Sequence, residues 1–259
     1  MAAAPVRDAS PLAGAGVLVT RPARQAAAFA AKVAAVGGCP VVFPAIVILP
    51  PDDLAPLQRA QGTLARYDYV VFVSANAVEF GIADPAAWPA GLPALAPGPG
   101  TAEALYNLGL TNVRFPTDRQ DSEGMLVLPE LADPAGKCVL VLRGDGGREL
   151  LAATLRGRGA TVDHVTCYRR DRPRDGTGLV EVFQAGKIDA VTVTSSEGLD
   201  NLWAIIDPAT RDRWAAHPTF APHPRIAAQA RALGLNVVET APGDAGLMIG
   251  LLEWFSTRH

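Results

Sequence analysis

A chain of 259 residues, almost half of them apolar and fewer than a fifth charged, is too hydrophobic for a disordered protein and long enough for one large core or two modest ones. Its net charge of −3 gives no global basic field to recommend nucleic acid or an anionic membrane, so an acidic ligand would have to be met by locally clustered arginines. Cys39, Cys138 and Cys167 are far apart and form no C-x-x-C, which suits a reduced, cytosolic protein. The four histidines have no metal-ligand spacing, and no metal site is expected.

The opening MAAAPVRDASPLAGAG is broken by Pro5, Arg7, Asp8 and Pro11, so residues 1–13 read as a mobile tail and not as a signal peptide. Residues 16–46, GVLVTRPARQAAAFAAKVAAVGGCPVVFPAI, then read as strand, turn, helix, glycine stop at Gly37 and strand. The longest apolar run, Val41 to Leu49, contains Pro44 and is too short to cross a bilayer, so a soluble protein is expected. YDYVVFVSANAVEF (67–80) gives a buried strand and a capped helix, and LAPGPGTAEALYNLGLTNV (95–113) a further strand, helix and strand.

Residues 138–168, CVLVLRGDGGRELLAATLRGRGATVDHVTCY, repeat the plan of 16–46; IDAVTVTSSEGLDNL (188–202) repeats 67–80; FAPHPRIAAQARALGLNVV (220–238) repeats 95–113. Val17 and Val139, Asp68 and Asp189, and Pro97 and Pro222 are each separated by roughly 120 positions, the mark of an internal duplication. Strand–helix alternation implies parallel sheets with helices on both faces, and such sheets bind ligands beyond the carboxyl ends of their strands. Six turns fall there: Thr20-Arg21-Pro22, Ser74-Ala75-Asn76, Gly98 to Thr101, Arg143 to Arg148, Ser195-Ser196-Glu197 and His223 to Ile226. Each carries capping or glycine-rich chemistry that frees backbone N–H groups at a helix start; alone each reads as a plain cap, together as anion-receptive rims.

RGDGGRE fails the dinucleotide fingerprint, because Glu149 stands where a third glycine belongs. No P-loop and no G-x-S-x-G elbow occurs. Two pairings of the repeated segments stay open on these grounds. A tandem fold splits near 129–137, whereas a crossed fold joins the first segment to the last and passes between domains twice. The extended tracts 40–51 and 165–173 invite the second.

The ordered set VLVTRP, YDYVVFVSANAV, APGPGTAEAL, DSEGMLVL, VLVLRGDGGRELLAATLRGRGATVDHVTCYRR and DAVTVTSSEGLDNL, spread over residues 16–252, resembles the uroporphyrinogen-III synthase family. The resemblance implies the crossed architecture: two flavodoxin-like doubly wound α/β domains joined by a two-stranded linker, with the active site in the cleft between them. Domain one would take residues 14–46 and 174–259, domain two 50–168, and the linkers 46–50 and 168–174.

It implies a cofactor-free monomeric lyase that closes hydroxymethylbilane, with ring D inverted and water lost, and that receives the bilane from bilane synthase. Tyr168 is the implied catalytic residue, assisting hydroxyl departure, against a plain hinge tyrosine. The implied substrate contacts are Thr20, Arg21, Ser74, Ala75, Asn76, Gly98, Gly100, Thr101, Arg143, Gly144, Ser195, Ser196, Arg225 and Ile226. Among them Arg21, Arg143 and Arg225, with Arg148, are candidate partners for the eight carboxylates of the substrate. Where the first copy of the turn has Gly98 and Thr101, the second has His223 and Ile226, so contact at Ile226 is expected from backbone alone. Thr101 and Ser74 read as helix caps, Asp145 as the organiser of its own glycine turn, and Trp203 and Trp214 as packing residues. A two-lobed receptor or a non-catalytic sensor domain is the alternative.

Overall fold

A computed structural model describes residues 11–146 and 149–257. Most of the expected N-terminal tail, together with Arg148, lies outside the described residues. At residue 12 the expectation of a mobile tail fails. Leu12 is fully buried, and its N–H donates to the carbonyl of Val36 (3.1 Å).

In chain order the elements are β1 (Gly16–Val19), α1 (Ala23–Ala35), β2 (Cys39–Val42), β3 (Val47–Leu49), α2 (Ala55–Gln61), β4 (Tyr69–Phe72), α3 (Ala75–Gly81), β5 (Ala94–Leu95), α4 (Pro99–Asn107) and β6 (Val113–Arg114). They continue with α5 (Ser122–Met125), α6 (Pro129–Ala132), β7 (Cys138–Gly144), α7 (Leu150–Gly157), β8 (Thr161–Asp171), α8 (Thr177–Gln184) and β9 (Ala190–Thr192). The chain closes with α9 (Ser196–Ile205), α10 (Pro208–Ala215), β10 (Pro218–Ala221), α11 (Pro224–Ala232), β11 (Asn236–Glu239) and α12 (Gly243–Ser256).

The chain divides into two compact units, one formed by residues up to 47 with those from 171 onward, the other by residues 48–170. The first holds a sheet of order β11-β10-β9-β1-β2, the second a sheet of order β3-β8-β7-β4-β5-β6. All strand pairs with an assigned register are parallel. Once β1 is matched to β7 and β9 to β4, the five strands of the first sheet appear in the same order in the second. The repeated sequence segments thus build the same sheet twice, but β1 pairs with β9 and β4 with β7.

Continuous apolar runs explain the central strands, which are buried on both faces. Along β1, Val17 and Val19 face a core completed by α1 and α12, while Leu18 faces one completed by α8, α9, α10 and α11. Trp214 is fully buried in this second core and Trp203 packs beside it, their ring centroids 6.0 Å apart. The 48–170 unit has the same two-sided plan. Phe72 and Leu142 pack under α3 and α4, whereas Val139 and Val141 pack under α7. Helices stop where the repeat provides a glycine: Gly37 and Gly159 both adopt left-handed φ, 80° and 86°, a region that costs other residues energy.

Candidate active site

The expected turns lie at the carboxyl ends of β1, β4, β5, β7, β9 and β10, where parallel strands feed helices. In the 48–170 unit, four expected residues line one cavity of about 260 Å³: Ser74, Arg143, Gly144 and Tyr168. Ala75, Asn76, Gly98, Gly100 and Thr101 do not line it.

Tyr168 is 4% exposed, and its phenol oxygen lies 3.1 Å from Ser74 Oγ. That same hydroxyl caps α3 by accepting the Ala77 N–H (3.2 Å). Gly144 makes room for the tyrosine ring, since a Cβ there would stand 2.6 Å from ring carbons. The β7–β8 register slips at Arg143/Gly144, which brings Gly144 opposite Tyr168. Two expectations change here. Arg143 and Gly144 belong to β7 itself and not to the following turn, because the burial of the strand continues through them. Asp145 does not serve only its own turn: its N–H donates to the Tyr168 carbonyl (3.0 Å) and its carboxylate accepts the Arg170 N–H (3.1 Å), tying the loop to β8.

Arg143 is almost wholly buried, with a side chain 7% exposed. Its Nε donates to the Gly144 carbonyl (2.9 Å), and Nη1 donates to Glu149 Oε1 and His164 Nε2, both at 2.8 Å. An imidazole that accepts from a guanidinium is neutral, and burial, then the Arg143 charge, hold the His164 pKa below the ordinary histidine value. The neighbouring Cys167 thiol, buried and pointing its S–H at the Arg143 carbonyl (3.2 Å), is pushed up to about 12 by burial and stays protonated.

Gly98, not Thr101, is the N-cap of α4; Thr101 lies inside the first turn and is buried. The sequence reading overlooked Ser122, His164 and Arg170 on the cavity wall. Alternation along β7 puts Arg143 on the face of Val139 and Val141, but placing His164 beside Val141 needs the β7–β8 register.

In the other unit, Thr20 Oγ1 donates to the Thr192 carbonyl (2.7 Å) while Thr192 Oγ1 donates to that of Leu18 (2.9 Å), a buried clasp between β1 and β9. Arg21 was expected as a cation for an outside carboxylate. It already has one, Asp244 at 2.5 Å, and its guanidinium also covers the Phe29 ring at 4.8 Å. Burial raises the Asp244 pKa, but Lys32 and Arg21 outweigh it and hold the carboxyl below the ordinary aspartate value.

Ser195 caps α9 by accepting the Gly198 N–H (2.9 Å), the counterpart of Ser74 in the other copy. Ser196 Oγ is buried with no partner among the described residues. His223 caps α11 through Nδ1, which accepts the Arg225 N–H (3.2 Å). The Arg225 side chain is exposed, and Ile226 is buried in the core, which leaves only its backbone for any ligand.

Two parallel α/β units of matching strand order, each with capped helix starts at its strand ends and one with a polar cavity there, define a protein of the open-sheet ligand-binding or enzymatic class. Within that class, the chain belongs to the uroporphyrinogen-III synthase family: the family model described as "Uroporphyrinogen-III synthase HemD" matches residues 27–248. The uroporphyrinogen-III synthase of Salmonella typhimurium (strain LT2) is 35% identical over 238 residues, covering 88% of this chain and 97% of its own. That of Escherichia coli (strain K12) matches over the same length at the same identity.

Among solved structures, uroporphyrinogen-III synthetase from Helicobacter pylori superposes with a TM-score of 0.56 at 15% identity, covering 95% of this chain and 99% of that one. A mutant uroporphyrinogen III synthase from Thermus thermophilus gives 0.50 at 19%, covering 95% and 100%. At these identities the likeness is one of fold.

Proposed function

We propose that this protein carries out the uroporphyrinogen-III synthase reaction, closing hydroxymethylbilane with inversion of ring D and loss of water. The observation that carries the reading is the family match, which spans most of the chain and of its curated relatives. The cavity lined by Ser74, Arg143, Gly144 and Tyr168 supports the reading.

In this reaction the terminal hydroxyl leaves as a pyrrole nitrogen lone pair pushes it out. The substituted carbon of ring D attacks the resulting azafulvene, and a spiro intermediate breaks and recloses. The Tyr168 phenol, held by Ser74, donates a hydrogen bond to the departing oxygen. Arg143 presents a fixed, dry positive charge to a carboxylate. The remaining task is geometric, holding a flexible chain so that the hindered carbon reacts. Thr20 and Arg21 then act chiefly as supports of their rim, while Ser195, Ser196, Arg225 and the Ile226 backbone offer contacts.

On the same reading the two units are flavodoxin-like doubly wound domains, 14–46 with 174–259 and 50–168, and the hinge is made of 46–50 and 168–174. The protein works as a cytoplasmic monomer that takes its bilane from bilane synthase. Purified protein supplied with freshly generated hydroxymethylbilane should yield the type III isomer after oxidation and chromatography. Type I alone would overturn the reading.

A further inference from the structure

The Arg143 pair is lopsided. The guanidinium side is 7% exposed and fixed by the Gly144 carbonyl and His164, whereas the Glu149 side chain is 65% exposed and starts α7 from outside the strand. Releasing Glu149 costs that residue little, since it returns to water. It costs Arg143 a great deal, because a buried charge without its counter-ion is strongly destabilising. His164 cannot substitute, being an uncharged acceptor. A second anion must therefore arrive as Glu149 leaves, and the cavity of about 260 Å³ against Arg143 gives it a path.

We propose that Glu149 is an internal stand-in for a substrate carboxylate: it neutralises Arg143 in the free protein and is exchanged for one of the carboxylates of the bilane on binding. The inference rests on the proposed reaction for the identity of the carboxylate, but not for the exchange itself. Glu149 is thus a residue that sets affinity without touching the reacting atoms. A closed, self-paired state lowers apparent affinity by the fraction of molecules that occupy it.

Two measurements test this. In the bilane assay, Glu149→Gln, which keeps the shape and removes the charge, should lower KM by about three- to ten-fold, with kcat changing less than KM. In an Arg143→Met background, whose melting curve checks folding, the same substitution should leave KM where Arg143→Met alone puts it. Fluorescence titration with uroporphyrin III, an octacarboxylate that needs no turnover, should give a Kd about three- to ten-fold lower for Glu149→Gln than for the wild type. A raised or unchanged KM and Kd in Glu149→Gln would overturn the proposal, because Glu149 would then be a support that holds Arg143 in place. Failure of the parent reading looks different: wild-type protein yields no type III isomer, while the porphyrin titration still decides the exchange.

Discussion

Tyr168 takes its character from its neighbours. Phe80 packs against its ring at a centroid distance of 6.3 Å, Gly144 leaves space for the ring edge, and Ser74 meets the hydroxyl. A phenol held this way keeps one orientation toward the cavity. In the proposed reaction the pyrrole nitrogen already expels the leaving group, so the proposed role of the phenol is to assist the step without being obligatory for it. Tyr168→Phe keeps the ring contacts and deletes one hydrogen bond to developing charge, a loss of ~1.5–3 kcal/mol, or roughly ten- to two-hundred-fold in turnover. Type III product should persist if, as proposed, the geometry of the site selects the attacking carbon. Turnover within two-fold of wild type would leave Tyr168 as a packing residue only. The sequence pointed to this tyrosine through family resemblance and to Ser74 through capping chemistry. It did not reveal that the two touch, since they are 94 positions apart, one after β4 and the other within β8.

The elements show why the architecture was legible and the site only partly so. Runs such as GVLV and CVLVL announce buried parallel strands by composition, and Ser74 and Ser195 announce the caps of α3 and α9. Those signals are local. Pairings such as Arg21 with Asp244 depend on α12 docking beside β1, and nothing near Arg21 in sequence announces it.

One device repeats at the opposite, amino ends of the strands. Asp189 donates its N–H to the Gly16 carbonyl (2.7 Å) and accepts the Gly16 N–H on its carboxylate (2.7 Å). Asp68 does the same with Cys138, at 2.8 Å each way. Asp189 thereby stitches β9 to β1, and Asp68 stitches β4 to β7. Asp189→Ala orphans the buried Gly16 N–H and should cost ~1–3 kcal/mol in denaturant unfolding, while an unchanged midpoint would show that water replaces it fully.

Acid should act on the same device. The Cys138 N–H, then Lys137, hold the Asp68 carboxyl below the ordinary aspartate value. With a depressed folded pKa, this stabilisation is complete above the unfolded aspartate pKa and is lost as pH falls through the folded value. Asp68→Asn should accordingly lose less stability than wild type as the solution is acidified from neutrality. Parallel pH dependences would refute the assignment.

At the scale of the whole chain, the two units have the same strand order but unequal folding problems. In the 48–170 unit, every strand pair is made within one continuous segment, and β4 meets β7 across about 70 residues. The other unit must join β1 to β9 across 173 positions before its central sheet exists. The longer closure costs only about 0.5–1 kcal/mol more in chain entropy, so stability is not the issue. Order of assembly is, since pairings this distant form slowly.

Excised residues 48–170 carry all six strands of their sheet, short of only the first residue of β3 and the last of β8, with a core on each face, and should unfold cooperatively, with coincident near- and far-ultraviolet circular dichroism transitions. Residues 1–130 are of similar length but hold β1 without β9 and β4 without β7, leaving two half-sheets with apolar edges. They should show no cooperative transition and should bind hydrophobic dyes. A cooperative 1–130 beside an unfolded 48–170 would mean that the local repeats, not the long-range pairings, carry the stability of this chain.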